Sequence, residues 1–205
     1  MTGFPAERSA DRSRGPRRAP SPMAMFFKGF LKHPVMVGSI IPSSRQLIQR
    51  MLAPVDWQRT RVFVEYGPGV GTFTRPILDR LGSAATLVAI DTNADFCDYL
   101  RAAIIDPRLK VVHGSAADVG AILKRLGLAQ ADHIISGLPF STLPPGVGTA
   151  IADATAAALR PGGSFLVYQF RPSVRDIIAP SFDRVEHAFE PINVPPAQLW
   201  WFHRD

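Results

Sequence analysis

The residues best suited to chemistry lie in one short stretch, "VFVEYGPGVGTFT", at positions 62–74. An apolar segment leads to Glu65, and Gly67, Gly69 and Gly71 then open a segment typical of a helix. Glycine lets the backbone turn sharply and lets a flat cofactor approach without a Cβ atom in the way. Dinucleotide-binding folds use G-x-G-x-x-G at this point, but Thr72 stands at their third glycine. The pattern predicts a cofactor-binding turn between a strand and a helix, with a plain glycine turn as the alternative.

A second acidic residue, Asp91, ends the next apolar segment, "TLVAID", 20 residues after Gly71. An acid at this spacing can accept hydrogen bonds from the two ribose hydroxyls of a bound adenosine. Asp91 could instead only cap the following helix, a role that Thr92 or Asn93 could equally fill. Farther on, in "VVHGSAADV", Asp118 could cap a helix or reach the adenine amino group. Both acids are therefore candidates for an adenosine site.

Alternating strand and helix signals surround these residues, separated by short turns. Such alternation predicts an α/β fold with a mostly parallel, doubly wound sheet. The C-terminal segment breaks the rhythm and predicts an antiparallel hairpin that closes the sheet edge. The predicted strands are 61–66, 86–91, 109–113, 132–136, 164–170, 183–190 and 196–204, and the predicted helices are 43–53, 73–82, 93–104, 117–127 and 146–159.

Composition excludes several classes of protein. A chain of 205 residues with 46% hydrophobic residues fits one domain with a substantial core. No apolar run approaches the roughly 20 residues that a membrane span needs, and no secretory signal begins the chain. Cys97 is the single cysteine, and the five histidines lack ligand spacing, so neither a disulfide nor a metal site is expected. We expect a cytoplasmic protein.

The net charge of +6 is unevenly distributed. Residues 1–50 hold nine Lys and Arg against Glu7 and Asp11, a net charge of +7, whereas residues 51–205 hold 14 against 15, a net charge of −1. A cationic N-terminal quarter indicates a polyanionic partner, either nucleic acid or an anionic lipid surface.

The N-terminal region divides into two parts. Residues 1–21 are rich in Arg, Pro, Ser and Ala, which predicts a disordered basic tail. Residues 22–34, with Ser21 as a possible N-cap, predict a short amphipathic helix ahead of the main domain at 35–205. Such an apolar stripe either packs in the core or lies on a membrane. The stripe and its flanking lysines are Phe26, Phe27, Phe30 and Leu31 with Lys28 and Lys32.

The motifs "VEYGPGVGTFT", "LVAID" and "VVHGSAADV", in this order, resemble those of class I S-adenosylmethionine-dependent methyltransferases, which have a Rossmann-like fold. The resemblance implies S-adenosylmethionine as the cofactor. It also implies that Ser39, in a pre-motif before the first strand, could contact the methionine end, although that stretch could be only a loop. The remaining cofactor residues so implied are Glu65, Gly67, Gly69, Gly71, Asp91, Thr92, Ser115, Ala116 and Ser136.

The segment "SGLPFSTLPP", 136–145, bears on the substrate. It resembles the Asn-Leu-Pro-Tyr/Phe motif of ribosomal RNA adenine dimethyltransferases, in which the Asn side chain accepts a hydrogen bond from the flipped base. Gly137 stands at the Asn position and offers no side-chain acceptor. An RNA adenine methyltransferase therefore remains the alternative function.

Over residues 23–205 the chain more closely resembles bacterial phospholipid N-methyltransferases, on "FLKHPVMVGSIIPSS", "VEYGPGVGTFT" and "GLPFSTLPP". The resemblance implies stepwise methylation of phosphatidylethanolamine towards phosphatidylcholine, with no nucleic acid and no obligate protein partner. It also places the 22–34 helix on an anionic phospholipid surface, at the inner face of the cell membrane.

Five residues are candidates for a catalytic role in that reaction. The carbonyls of Gly137 and Leu138 could orient the amine, and the ring face of Phe140 could stabilise the growing cation. Tyr66 and Tyr168 could accept a hydrogen bond or pass the proton to water, and for each a packing role is the alternative.

Overall fold

The computed structural model describes residues 44–193 and 195–205. In this part of the chain a seven-stranded sheet has the strand order β3-β2-β1-β4-β5-β7-β6. All neighbouring strands pair in parallel except β7, which is antiparallel to both β5 and β6. The predicted mostly parallel sheet with an antiparallel C-terminal hairpin is confirmed. The strands are β1 (Val62–Tyr66), β2 (Thr86–Asp91), β3 (Leu109–His113), β4 (Ala131–Ser136), β5 (Leu159–Gln169), β6 (Arg184–Glu190) and β7 (Ala197–Arg204).

Helices cover both faces of the sheet, as a doubly wound fold requires. The α-helices of the described residues are α1 (Arg45–Leu52), α2 (Thr74–Leu78), α3 (Ala94–Ala103), α4 (Val119–Arg125), α5 (Val147–Ala158) and α6 (Val174–Ile178). Buried side chains of α1, α2 and α3 form one core cluster with the sheet, and those of α4, α5 and α6 form the other. No helix in this described part is long and apolar enough to cross a bilayer.

Three elements differ from the prediction. The helix predicted at 73–82 ends at Leu78, because the amides of Arg80 and Leu81 both donate to the Ile77 carbonyl and form a turn. Helix α6 was not predicted, since five residues are too few to show a helical period. Strand β5 begins at Leu159 and not at residue 164 as predicted, because the segment "LRPGG" does not look like a strand in the sequence. This first part of β5 pairs with β4 before a shift in register.

Helix α1 begins close to the β6–β7 hairpin. The Ser44 hydroxyl caps the helix by accepting from the Leu47 amide at 3.1 Å. The Ser44 amide donates to Asn193 Oδ1 at 2.9 Å, and Trp201 Nε1 donates to the Met51 carbonyl at 3.0 Å. The predicted 22–34 helix, including its membrane-binding residues, and Ser39 lie outside the described residues.

Candidate active site

The glycine turn follows β1 at the carboxyl edge of the sheet. Gly67, Gly69 and Gly71 have φ values of +64°, +53° and +88°, in the region that favours glycine. A Cβ atom on Gly71 would also lie 3.0 Å from Leu100 Cδ2 of α3. The turn therefore depends on glycine both for its backbone shape and for its packing.

Asp91 ends β2 beside this turn, and its carboxylate is largely buried. It accepts hydrogen bonds from the Gly69 amide at 3.3 Å and from the Asn93 amide at 2.8 Å. The Asn93 side chain caps α3 by accepting from the Asp95 and Phe96 amides, so Asp91 is not the helix cap. A carboxylate can accept about four hydrogen bonds, which leaves capacity for the two hydroxyls of a ribose.

Replacing Asp91 by alanine should weaken S-adenosylmethionine binding by roughly 1–3 kcal/mol, the cost of losing charge-assisted hydrogen bonds at a buried site. Calorimetric titration of the folded variant measures this change. Asp95→Ala, on the exposed first turn of α3, is the matched control and should bind the cofactor normally. Unchanged affinity in the Asp91 variant would remove this carboxylate from the site.

Glu65 lies in β1 beneath the turn and is almost completely buried. Burial raises the pKa of Glu65 to about 8; the hydrogen bond from Thr74 opposes the shift, and the charge of Asp91 adds to it. Thr74 Oγ1 donates to Glu65 Oε2 at 2.7 Å and is the one donor to this carboxyl among the described residues. A carboxyl with one donor in a buried site suits an ammonium partner, such as the amino group of the cofactor's methionine portion.

Replacing Glu65 by glutamine should change the pH dependence of stability. With its pKa raised from 4.5 to about 8, the folded protein keeps a proton that the unfolded chain releases, so wild-type stability falls as the pH rises through this window. Glutamine cannot ionise, and the variant should gain on the order of a few kcal/mol over the wild type between pH 5 and pH 8. Thermal unfolding without cofactor at the two pH values measures the gain.

The same glutamine variant should bind S-adenosylmethionine about tenfold more weakly, because the charge-assisted hydrogen bond to an ammonium is lost.

The stability prediction has its own contradicting outcome. If the wild type and the Glu65→Gln variant show the same pH dependence of unfolding, Glu65 is already ionised in the free protein.

Gly137 directly follows β4 and lies where three strand ends meet. A Cβ atom at this position would lie 2.8 Å from the Tyr168 hydroxyl and 3.3 Å from the Gly67 carbonyl oxygen. Gly137 has no positive φ, so here glycine is required for space and not for backbone shape. Because Gly137 has no side chain, the ends of β1, β4 and β5 can lie close together at this point.

The backbone after Gly137 is fixed by hydrogen bonds. The buried Ser136 hydroxyl accepts from the Leu138 amide at 3.1 Å. The Leu138 carbonyl accepts from Gln169 Nε2 at 2.6 Å and from the Phe140 amide at 3.0 Å. Both lone pairs of this carbonyl are therefore engaged within the protein, which leaves it little capacity to orient an amine, and that role of Leu138 stays a prediction. Among the residues the structure describes, none donates to the Gly137 carbonyl.

Two other predicted catalytic residues pack in the core. The Tyr66 hydroxyl bonds Thr155 of α5 at 3.1 Å, and burial raises the Tyr66 pKa above its usual value. Phe140 is 2% exposed and lies edge-to-face on Phe165, with ring centroids 6.3 Å apart, so its ring has no open face for a cation. These contacts favour the packing alternative for Tyr66 and leave little access to the Phe140 ring, and a catalytic role stays a prediction for both residues.

Tyr168 borders the site. Two neighbouring residues, which the sequence did not indicate, hold this part of the structure in place. Its ring stacks on Phe73, with centroids 4.9 Å apart, on the α1–α3 face of the sheet. Gln169, the next residue, holds the Leu138 carbonyl. For Gln169, the one signal in the sequence was its place as the polar residue that ends the apolar strand "FLVYQ". For Phe73, in "GTFT", no signal in the sequence indicated a role in the site.

The predicted adenine side lies at the end of β3. The Ser115 hydroxyl accepts from the Ala117 amide at 3.2 Å, and Ala116 is buried beside it. Asp118 makes no side-chain capping bond to α4, so the structure does not support the capping alternative. Thr92 is exposed after β2, and its carbonyl lies 3.1 Å from His113 Nε2. Cofactor contact stays a prediction for all four residues.

Three comparisons with known proteins cover this architecture. A family model described as TrkA-N domain matches residues 68–142. The O-methyltransferase of Bacillus cereus, solved with SAH, superimposes with a TM-score of 0.61 at 15% identity, over 91% of this chain and 92% of that one. Ribosomal RNA small subunit methyltransferase A of Thermosynechococcus vestitus is 24% identical over 65% of this chain, which spans about half (47%) of that protein.

A third protein is similar over nearly the whole chain. The ornithine lipid N-methyltransferase of Singulisphaera acidiphila is 32% identical over 179 residues, which are 86% of this chain and 93% of that protein. The fold and the site define a class I S-adenosylmethionine-dependent methyltransferase. Within that class, the chain belongs to the family of bacterial lipid N-methyltransferases.

Proposed function

We propose that this protein is a peripheral membrane methyltransferase that acts on the head-group amine of phosphatidylethanolamine and its methylated intermediates, towards phosphatidylcholine. The observation that carries the proposal is the narrow junction at Gly137. There, no residue that the structure describes donates to the Gly137 carbonyl, and a Cβ atom on Gly137 would lie within 3.3 Å of both the Tyr168 hydroxyl and the Gly67 carbonyl oxygen. A primary or methylated amine needs such an acceptor, whereas a purine base is read through a side chain that Gly137 lacks.

The residues of this chain act mainly by alignment. When bound, S-adenosylmethionine supplies an electrophilic methyl group, which an amine lone pair can attack without covalent help from the protein. The Gly137 carbonyl would accept a hydrogen bond from the amine N–H and so fix the orientation of the nitrogen, whose lone pair would then point towards the cofactor's methyl group. The amine must first lose a proton, because an alkylammonium has no lone pair at neutral pH. Tyr168, and not Tyr66, stands where it could pass that proton to water.

The membrane part of the proposal rests on the N-terminal sequence. The apolar stripe of the predicted 22–34 helix, with Lys28 and Lys32 beside it, suits the lipid interface of the inner face of the cell membrane. Ser44, the N-cap of α1, donates to Asn193 at the carboxyl edge of the sheet, so the first described residue lies at the edge that carries the site. An interfacial helix there would hold the pocket near a lipid head group.

A second candidate substrate is the amine of an ornithine lipid, which the name of the 32% identical relative favours. Both lipids present an amine at a membrane surface and would suit the same carbonyl acceptor. They differ in the anionic group near that amine, which is a phosphate in one and a carboxylate in the other.

Incubation with methyl-labelled S-adenosylmethionine tests these functions directly. Three parallel reactions would contain vesicles with phosphatidylethanolamine, vesicles with ornithine lipid, or ribosomal RNA, and each product would be separated. We expect label in phosphatidylethanolamine derivatives. Label only in the ornithine lipid would transfer the proposal to the second substrate, and label only in RNA would overturn lipid methylation.

A further inference from the structure

Two large apolar side chains are exposed at the tip of the β6–β7 hairpin. Phe189 is 47% exposed and Ile192 is 62% exposed. Phe189 lies near the end of β6, and Ile192 lies in the connection to β7. We call Phe189 and Ile192, with the loop that joins them, the hairpin tip.

The hairpin tip lies at the same edge of the sheet as the candidate active site. Strand β7 is antiparallel to both β5 and β6, so β6 runs in the same direction as β5. The end of β6 therefore lies at the carboxyl edge, together with Gln169 at the end of β5. Ile105, which is 89% exposed, follows α3 and precedes β3, and so lies at the opposite edge.

Hydrogen bonds hold the polar groups of the hairpin tip inward. The Glu190 carboxylate is buried and accepts from Arg50 and from the Ile192 amide, both at 3.0 Å. Arg50 also donates to the Phe189 carbonyl at 2.9 Å. The buried Asn193 side chain accepts from Ser44 and donates to the Pro195 carbonyl at 2.8 Å. With these polar groups satisfied internally, the apolar side chains can enter an apolar phase at little cost.

The charge around the hairpin tip favours anionic lipid over a second copy of this chain. Arg45 is exposed in the first turn of α1 and makes no ion pair with any residue from Ser44 onward that the structure describes. Residues 1–43, which precede Ser44 in the sequence, hold seven Lys and Arg against two acids. Two copies would bring like charges together, whereas an anionic surface complements them.

We propose that the hairpin tip inserts Phe189 and Ile192 into the bilayer surface and turns the active-site edge towards the lipid. The inference rests on the proposed function, in which the substrate amine lies in a membrane. A single short interfacial segment binds reversibly, and stable attachment needs a second signal. The hairpin tip supplies that signal and fixes the orientation of the site.

The test is flotation of the full chain carrying Phe189→Ser and Ile192→Ser with vesicles of phosphatidylethanolamine and phosphatidylglycerol. We expect the vesicle dissociation constant to rise about tenfold, because two half-exposed apolar side chains no longer enter the lipid. Ile105→Ser is the matched control and should bind as the wild type does. Methylation of a short-chain, water-soluble phosphatidylethanolamine should be unchanged in both variants.

Wild-type affinity in the double variant, or an equal loss in the Ile105→Ser control, would overturn the proposal. A wild-type dimer that becomes a monomer in the double variant, measured by light scattering, would assign the hairpin tip to self-association and also overturn it. If the wild type methylates no lipid in either presentation, the proposed function fails, while flotation still decides whether the hairpin tip binds lipid.

Discussion

Replacing Gly137 by alanine is expected to lower the rate of methyl transfer by about 100-fold or more, the usual cost of misplacing reacting groups by about 1 Å. The added methyl group would lie 2.8 Å from the Tyr168 hydroxyl and 3.3 Å from the Gly67 carbonyl, closer than a carbon atom tolerates. Either Tyr168 moves, and disturbs its stack on Phe73, or the glycine turn shifts. Single-turnover methylation of a soluble lipid substrate measures the loss.

The matched control is Gly82→Ala, because a Cβ atom at Gly82 meets no atom within 4 Å and its backbone is not in the positive-φ region. This variant should retain wild-type activity. The double variant Gly137→Ala with Tyr168→Phe removes the oxygen that is nearest to the added carbon. Its activity should be at least about tenfold higher than the value expected if the two single losses of transition-state stabilisation simply added. The effects of substitutions at residues in contact are generally not additive. Strictly additive losses would show that the clash with Tyr168 is not the cause.

Deleting residues 1–33 should abolish flotation with anionic vesicles and with it methylation of vesicle lipids. The deletion removes the predicted apolar stripe and seven of the 23 Lys and Arg residues. Each cation contributes roughly 1 kcal/mol near an anionic surface, and burial of the Phe and Leu side chains contributes more. Attachment through the hairpin tip alone would be weak, because stable binding needs two signals.

Cofactor binding should survive this truncation, because Glu65, Asp91 and the glycine turn all lie beyond it. Activity on a short-chain, water-soluble phosphatidylethanolamine should persist in part. High salt should weaken vesicle binding of the intact protein only partly, since it screens charge but leaves apolar burial in place. If the truncated protein floats as well as the intact one, the segment 26–32 instead belongs to the core or to a lid over the cofactor.

Local patterns were enough to predict the order of the strands and the position of the glycine turn and Asp91. The glycines of the turn are dictated by backbone angles that other residues rarely adopt, so their spacing is visible in the sequence. Asp91 was predictable because a parallel strand of about six residues carries its last residue to the carboxyl edge whatever lies around it. Strand alternation and a hairpin signal similarly predicted the sheet and its antiparallel end.

The acceptor side of the site was decided by tertiary contacts. Tyr66 and Tyr168 both lie near strand ends in the sequence, yet Tyr66 faces the α4–α6 layer and bonds Thr155, while Tyr168 faces the α1–α3 layer and meets Gly137. Which face a side chain takes depends on the register between strands distant in the chain, and a shift of one residue would exchange the two faces.

The state of each polar group also depended on partners far along the chain. Leu138 and Gly137 look equivalent as backbone acceptors in the sequence. Gln169, 31 residues away from Leu138, donates to the Leu138 carbonyl, whereas no residue in the described part of the chain donates to that of Gly137. The sequence alone therefore determined where the cofactor edge lies, because backbone angles and strand direction are local properties. Only the tertiary structure decided that Tyr168 lies beside Gly137 and that Gln169 bonds the Leu138 carbonyl, because hydrogen bonds between β4 and β5 form when the two strands are packed side by side.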